Sequence, residues 1–431
     1  MAAISAHPKL LLDFAAMREA ASISDGRHYL SWPEFRRRPM PEGYSPEQLW
    51  ALVQLQRRGS ATQLPLFQSG SSPTRVTMSD QMRAALHRIA CHQELQDAGL
   101  RKGDTDAESY AQRAFIEEAL ASARIEGADT ARVVGRELLR TGRAPRDRSE
   151  RMILNNFLAL RSLDQWIDEP LTKSLLCHMQ DVLTRGTLDE PDDGGRFRQD
   201  DDVRVRDRLT GEIVHVPPPA AELEERMQRL CDFANSPPGE APFVDPVVKA
   251  AVLHYQLAYD HPFGDGNGRT ARWLFLWHLA RQSEYWWCRF LPVSRMTERA
   301  RGSYYRAFES AAADEGDATY LVRQQLRCME LEMASLAVLM RRRRHLDELA
   351  RRQLRIEDEF NVRQLALFDH AVRHADAEFT QIGHAQYHGV TQVTAGRDLN
   401  QLEKLGFLSH KRRGRTMVYR PTARLLRLAE R

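Results

Sequence analysis

The segment HPFGDGNGRTAR (residues 261–272) separates two stretches that have the hydrophobic pattern of helices. It contains two turn dipeptides, DG at 265–266 and NG at 267–268, whose glycines tolerate positive φ angles. Such a turn can direct successive backbone N–H groups at an anion, beside the N-terminus of the helix that follows. The segment therefore predicts a phosphate-binding corner between two helices.

The side chains of this segment suit the same chemistry. Arg269 and Arg272 are three residues apart and share a helix face, so both are expected to reach a polyphosphate. Asp265 offers one carboxylate, which suits Mg²⁺, an ion that takes few protein ligands alongside phosphate and water. His261 has an ordinary pKa near 6.5 and is largely free to accept a proton at neutral pH.

Each of these elements alone is common in surface loops, and arginines on a helix are usually solvated. Taken together, however, eight constrained positions within twelve residues favour a functional site over an ordinary surface loop. A P-loop is the other phosphate-binding arrangement, but the chain has no GxxxxGK[ST] and this segment has no lysine.

The segment matches every fixed position of the signature H-x-F-x-[D/E]-G-N-G-R-x-x-R, and the chain thereby resembles the Fic family over residues 106–327. The resemblance implies a mainly α-helical core with a small β-hairpin flap. It also implies a nucleotidyltransferase that uses ATP as substrate and Mg²⁺ as cofactor, and transfers AMP to a hydroxyl side chain of a target protein.

The resemblance also implies roles for individual residues. His261 would be the catalytic base for the target hydroxyl, Phe263 would anchor the segment in the core, and Asp265 would hold Mg²⁺ on the α- and β-phosphates.

The remaining motif positions would bind ATP. Gly266, Asn267 and Gly268 would form an anion hole, Arg269 would contact the phosphates, and Arg272 would hold the γ-phosphate.

Two upstream segments resemble further parts of a Fic core. GEIVHVPPP (residues 211–219) reads as an extended hairpin because apolar residues precede three prolines, and it resembles the flap that docks a target segment by main-chain pairing. The flap positions are Ile213, Val214, His215 and Val216. GRFR (residues 195–198) resembles the G-x-F-R element that precedes the motif in such cores.

SARIEG (residues 122–127) resembles the family's inhibitory pattern [S/T]-x-x-x-E-[G/N]. Ser122 and Glu126 are four residues apart and project from one helix face, ahead of Gly127 as the expected C-cap. The resemblance implies that Glu126 pairs with Arg272, so that ATP binds in an unproductive pose. Ser and Glu at this spacing are also commonplace on exposed helices.

The last module, residues 360–431, reads as three short helices followed by a hairpin, an order that resembles a winged helix-turn-helix. Residues 391–431 carry ten Lys/Arg and three Asp/Glu, a net charge of +7, which favours phosphate-bearing partners. The predicted DNA-facing residues are Gln392, Thr394 and Arg397 on the recognition helix and Arg412, Arg413 and Arg415 on the wing. Docking of a protein, as in a homodimer or with the target, is the alternative.

The predicted domain organisation has four parts. They are an N-terminal helical region (1–105), a Fic core that includes the inhibitory helix (106–327), a solvated helical connector (328–359) and the winged helix-turn-helix (360–431). Within the first part, helices are expected around 45–58 and 79–98, and 68–74 is read as a loop. Within the core, a further helix is expected at 297–312.

Composition sets the remaining limits. Five scattered cysteines without a CxxC pair argue against a disulfide framework and a structural zinc site, and predict a reducing, cytoplasmic location. No apolar stretch approaches 18 residues, so no membrane span is expected. Alternatives within this interpretation are transfer of UMP, removal of AMP from targets, and a DNA-binding regulator whose core only senses nucleotide.

Overall fold

The chain was analysed as a computed structural model, and the structure describes residues 12–24, 28–68, 72–102, 107–206, 211–237, 240, 242–354, 360–414 and 416–427. It is mostly helical, with three separate two-stranded antiparallel sheets among the described residues. Both features agree with the predicted mainly α class.

Nineteen helices and six strands are labelled in chain order over the described residues. The first group consists of α1 (Phe14–Ile23), α2 (Trp32–Phe35), α3 (Pro46–Ser60), β1 (Thr62–Phe67), β2 (Pro73–Val76), α4 (Asp80–Cys91) and α5 (Gln93–Asp97). The second consists of α6 (Ala107–Ile125), α7 (Arg132–Thr141), α8 (Arg148–Arg161), α9 (Lys173–Thr184), β3 (Val205–Arg206), β4 (Ile213–His215), α10 (Leu223–Asn235), α11 (Pro246–Asp260) and α12 (Asn267–Ala280). The third consists of α13 (Val293–Arg299), α14 (Arg301–Ala313), α15 (Thr319–Leu354), α16 (Val362–Arg373), α17 (Gln381–His388), α18 (Gln392–Lys404), β5 (Leu408–Arg413), β6 (Thr416–Pro421) and α19 (Ala423–Leu426).

The centre of the molecule is the pair α11 and α12, which are buried on nearly every face and pack against each other. Helix α11 begins at Pro246, a residue suited to a first turn, and Asp245 caps it by accepting the N–H of Val247 at 2.8 Å. Helices α6, α8 and α9 contact α12, and helices α10 and α15 contact α11. The segment between α11 and α12 is therefore fixed at the end of the most buried element of the fold.

The N-terminal part differs from the predicted helical region. Residues 62–67 and 73–76 form the β1–β2 hairpin, whose Leu64, Leu66 and Val76 are buried in the same core as α11 and α12. The chain between the strands is irregular where residues 68 and 72 are described, as expected for a loop. Proline and serine residues near these strands obscure the alternation of apolar residues, so the sequence did not predict the hairpin.

Two predicted helices are each broken in the structure. The helix expected at 79–98 stops at His92, which has a left-handed φ of 36°, and restarts as the short α5. The helix expected at 297–312 is divided between α13 and α14 at Ala300, whose φ of −109° is not helical. Neither break has a glycine or proline to mark it.

The predicted connector is only partly solvated. Helix α15 runs from Thr319 to Leu354, but Met329, Ala337 and Met340 are buried in the core that also holds α11 and α12. The hydrophobic core thus crosses the predicted boundaries at 105 and 327. A charged run of arginines follows these residues in the sequence. Because of this run, the apolar face of α15 was not predicted.

The last part of the chain has its own small core, built on Phe360, Phe368, Leu399 and Phe407. Helices α16, α17 and α18 precede the β5–β6 hairpin, in which Leu408 pairs with Pro421 and Arg413 with Thr416. This order of three helices and a hairpin agrees with the predicted elements. Arg415, a predicted wing residue, lies outside the described residues.

Membrane insertion finds no support in the helices that the structure describes. None of them combines the length and the apolar content that a membrane crossing needs.

Candidate active site

His261 ends helix α11 in a left-handed conformation, with φ of 47°. A non-glycine residue rarely adopts this conformation, and such strain concentrates at functional sites. The His261 backbone N–H donates to the Leu257 carbonyl at 3.0 Å, which closes the helix. The helix end therefore turns this residue away from the helix axis and leaves its side chain partly exposed.

The His261 ring is held in one tautomer. Its Nδ1 lies 3.1 Å from the Ala258 carbonyl oxygen, which can only accept, so Nδ1 carries the proton. The lone pair is then on Nε2. Burial, opposed by the Ala258 hydrogen bond, lowers the pKa of His261 to about 4. The imidazole is therefore neutral at pH 7 and can accept a proton.

The corner between α11 and α12 is clamped by one side chain. Asn267 accepts the Phe263 N–H at 2.9 Å and donates to the Phe263 carbonyl at 2.8 Å. Phe263 is fully buried, and its ring lies 5.4 Å from the ring of Phe197. These contacts place Phe263 as an anchor and Asn267 as the brace of the turn, so the corner is preformed.

Gly266 is required by both conformation and space. Its φ is 87°, and a Cβ there would lie 2.5 Å from the Thr184 methyl carbon on α9. It is the N-cap of α12, so the first N–H groups of that helix face the corner. These N–H groups are the ones that the predicted phosphate-binding corner would use.

Asp265 lies at the edge of the corner with its side chain 47% exposed. Its Oδ1 accepts the Gly266 N–H at 2.6 Å, and its Oδ2 lies 3.1 Å from Nη2 of Arg269. The described residues contain no cluster of three or more His, Cys, Asp or Glu side chains that could hold a metal. A single accessible carboxylate still suits Mg²⁺, because phosphate oxygens and water supply its other ligands.

The two arginines of the motif have different neighbours, contrary to the expectation that both reach a polyphosphate from one face. The Arg269 side chain is 1% exposed, and its Nη1 donates to the Leu183 carbonyl at 2.9 Å. With its second contact to Asp265, Arg269 braces the corner against α9. Its contact with phosphate stays a prediction.

Arg272 instead faces helix α6. Its Nε donates to the Ser122 hydroxyl at 2.8 Å, and its Nη2 lies 2.8 Å from Oε1 of Glu126. The Arg272 side chain is 5% exposed and that of Glu126 25%. Burial alone would lower the pKa of Arg272, but the Glu126 carboxylate, together with Tyr304 and Glu118, raises that pKa. The structure thus brings together the three side chains that the inhibitory pattern predicted.

The Glu126 carboxylate also lies against the corner itself. A Cβ placed on Gly268 would be 2.2 Å from Glu126 Oε1 and 3.1 Å from Nη1 of Arg272. A side chain at this position would require the Glu126 carboxylate to move. Glu126 therefore occupies space beside the first turn of α12, where an anion would otherwise approach.

The end of α6 is held by backbone bonds. The Ala128 N–H donates to the Ala123 carbonyl at 3.0 Å, and the Gly127 N–H donates to the Arg124 carbonyl at 3.1 Å. Gly127 has φ of 93°, as a helix-ending glycine should. The predicted C-cap is confirmed.

The predicted flap forms a short hairpin beside His261. β3 and β4 pair Val205 with His215, while the tip at 207–210 lies outside the described residues. Ile213, Val214 and Val216 are 49%, 42% and 54% exposed. His215 differs, because its Nε2 lies 2.7 Å from the carbonyl of Tyr259 on α11. The hairpin is thus tied to the helix that ends at His261, with apolar side chains exposed.

Residues 195–198 support the corner more strongly than their sequence indicated. Arg198 Nε donates to the His261 carbonyl at 3.0 Å, and the Arg198 N–H donates to the Pro262 carbonyl at 2.8 Å. Arg198 also donates to Pro218, which follows the flap. One arginine therefore joins the corner to the flap.

Two further residues at the corner, Gln180 and Arg148, have no signal in the sequence. Gln180, which is fully buried on α9, donates to the Asp265 carbonyl at 3.0 Å and accepts the Gly195 N–H at 2.6 Å. Arg148 lies 3.8 Å from the Asp265 carboxylate. Both contacts join distant parts of the chain, and no local pattern marks them.

The region that contains the corner and the flap is similar to a known protein family. Residues 170–279, about a quarter of the chain, match the Fic/DOC family, and they include the corner and the flap. The chain is similar to the "Protein adenylyltransferase Fic" of Drosophila willistoni, with 31% identity over 264 residues, 59% of this chain and 46% of the relative. It is also similar to the protein of that name from Nematostella vectensis, with 36% identity over 140 residues, 32% of this chain and 28% of the relative. The chain spans half or less of the length of these relatives.

Solved structures share the fold. A Fic family protein from Desulfovibrio desulfuricans G20 superimposes with a TM-score of 0.52 at 20% identity, covering 80% of this chain and 97% of that one. Residues 134–508 of Fic-1 from C. elegans give 0.50 at 18% identity, covering 78% and 85%. The overall fold of this chain is thus similar to that of these two proteins.

Proposed function

We propose that this chain is a Fic-type protein adenylyltransferase, which transfers AMP from ATP to a hydroxyl side chain of a target protein. The observation that carries the proposal is a neutral His261, with Nε2 as acceptor, beside a preformed anion-binding turn. The similar proteins named protein adenylyltransferase support the choice of ATP. The direct test is transfer of label from α-labelled ATP to protein, compared with α-labelled UTP.

The proposed reaction is an in-line displacement at the α-phosphorus. The target hydroxyl oxygen forms a bond to that phosphorus, its proton passes to Nε2 of His261, and the bond to the β-phosphate oxygen breaks as pyrophosphate leaves. Backbone N–H groups at the start of α12 would bind the phosphate oxygens. Catalysis then comes mainly from positioning and charge stabilisation.

Asp265 is the residue proposed to hold Mg²⁺, which would neutralise charge on the phosphates. Its accessible carboxylate and its position at the mouth of the corner fit that task. Arg269 would keep the Asp265 carboxylate oriented through their 3.1 Å contact.

Glu126 is proposed to restrain the enzyme. Its carboxylate holds Arg272, the residue expected to bind the γ-phosphate, and it fills the space beside Gly268. An ATP bound with this pair intact would lack its γ-phosphate contact. Low basal activity is the expected consequence.

Ile213, Val214, His215 and Val216 are proposed to dock the target segment. The exposed apolar side chains of this short hairpin could cover an extended peptide that pairs with the strand edge. Such pairing would set the hydroxyl side chain at a fixed distance from His261.

The pH dependence of the reaction should follow the pKa of His261. Because protonated histidine cannot accept the target proton and the pKa is about 4, the base is already available at pH 5. We expect kcat/KM of a Glu126→Gln protein to show no ionisation of the base near pH 6.5, and to fall only as pH approaches 4. A limb with an apparent pKa near 6.5, measured with substrate well below KM, would contradict this assignment.

The C-terminal module is proposed to be a winged helix-turn-helix that binds DNA. Gln392 and Arg397 are exposed on α18, and Arg412 is exposed on β5. Arg413, in contrast, contacts Glu378 at 2.9 Å, so part of the predicted wing charge is already paired. These positions support a phosphate-binding face centred on α18.

Binding of duplex DNA should weaken steeply with salt, because each neutralised phosphate releases counterions. We expect Arg397→Gln and Arg412→Gln each to lower the slope of log affinity against log salt by about one. Arg37→Gln, an exposed change on the N-terminal part, is the matched control and should leave the slope unchanged. DNA binding whose affinity does not depend on salt, or the absence of any gel shift at low salt, would favour protein docking instead.

A further inference from the structure

A cavity of about 470 Å³ lies where the C-terminal module meets the core. Helices α6 and α7 line it on the core side, α15 lines it between the two parts, and α16 and α17 close it. This junction cavity is separate from the corner that holds His261. Its walls include Arg113, Arg343, Tyr387 and His388.

Arg343, on α15, is a buried cation without a counterion among the residues described. Its side chain is only 3% exposed, and neither Nε nor Nη1 has a hydrogen-bond partner there. Its one described contact of note is with the ring of Tyr110, 4.8 Å from the guanidinium carbon. Burying a charge without a partner costs free energy, so an anion bound beside this guanidinium would stabilise the folded protein.

Two further groups add to the positive character of the same wall. Burial, reinforced by the nearby charge of Arg343, lowers the pKa of Arg113 to about 10, so Arg113 still carries its charge at pH 7. His388 is 3% exposed, and its Nδ1 has no partner in the described part of the chain. Burial and neighbouring cations lower the pKa of His388 well below its ordinary value. The neutral ring can therefore donate one N–H to a ligand.

The acidic side chains around the cavity are held by other arginines. Glu117 contacts Arg132 and Arg136, Glu137 contacts Arg140, Asp369 lies 3.5 Å from Arg342, and Glu378 contacts Arg413 and Arg420. None of these ion pairs involves Arg113 or Arg343. Arg113 and Arg343 are therefore the lining arginines that no described ion pair occupies, while Asp376, the remaining acid of the lining, is exposed to solvent.

We infer that the junction cavity is a binding site for a small phosphate-bearing anion, held by Arg343, Arg113 and the N–H of His388. A planar guanidinium binds two phosphate oxygens at once. The volume exceeds the needs of phosphate alone, and Tyr387 offers a ring beside it. This site stands apart from the proposed transfer reaction and does not depend on it.

The test uses the full chain and inorganic phosphate as the probe. In phosphate-free buffer, Arg343→Met should be at least as stable as the wild type, because it removes an unpaired buried charge. Phosphate at ten times its Kd should raise the Tm of the wild type by about 2 °C or more. That increment should be lost in Arg343→Met and reduced in Arg113→Met.

Arg341→Met is the matched control, since Arg341 lies on the same helix with its side chain 51% exposed. It should keep the full phosphate effect. A phosphate effect of equal size in all four proteins, or strong destabilisation of Arg343→Met without phosphate, would overturn the inference. Repeating the series with AMP separates two sources of the ligand. An Arg343-dependent Kd lower than that of phosphate points to a nucleotide, and an equal Kd points to the free oxyanion.

Discussion

Replacing Glu126 with glutamine is expected to raise self-modification with labelled ATP by about 10–100-fold. The change removes the charge that holds Arg272 at 2.8 Å but keeps the size of the side chain. A charge-assisted hydrogen bond contributes about 1.5–3 kcal/mol, and each 1.4 kcal/mol corresponds to a factor of ten. The rate of label incorporation under single-turnover conditions measures the effect.

Two companion variants sharpen this experiment. Glu126→Gly should be at least as active, because it also clears the space beside Gly268. Glu330→Gln removes a carboxylate that pairs with Arg88 on the surface, and it should leave the rate unchanged. An unchanged rate in both Glu126 variants would remove this residue from the proposed restraint.

Replacing His261 with alanine in the Glu126→Gln background is expected to lower AMP transfer by about 10²–10⁴-fold, the usual contribution of a positioned base. Binding of ATP should survive, since the phosphates are expected to contact the α12 N-terminus and Arg272 rather than the imidazole. Label incorporation and nucleotide affinity, measured on the same protein, separate these two effects.

His87→Ala is the matched control, because His87 is an exposed histidine on α4, far along the chain from the corner. It should behave as the parent protein does. Label from UTP in place of ATP would redirect the proposal to uridylyl transfer. Equal labelling with and without His261 would end the assignment of that residue as base.

The sequence predicted the elements whose signals are local. The turn dipeptides and the flanking apolar patterns placed the corner between α11 and α12, and Gly127 marked the end of α6. The hydroxyl and carboxylate of the SARIEG pattern were expected on one face, and both contact Arg272.

Features that depend on distant contacts could not be predicted in the same way. Arg269 turns inward because its Nη1 donates a hydrogen bond to the Leu183 carbonyl, 86 residues earlier in the chain. Gln180 joins Asp265 to Gly195 from another helix. The break at His92 and the burial of Met329 follow from packing against the core, and no nearby residue type announces them.

The position of Glu126 has a consequence for how activity would be switched on. The backbone on either side is tied down by the Schellman-type bonds of Gly127 and Ala128, and Ile125 is 1% exposed. The carboxylate itself is reached by solvent, so it can swing away by rotation about its own bonds while α6 stays folded. Activation would then require the contact between Glu126 and Arg272 to break, followed by a side-chain rotation on the nanosecond timescale.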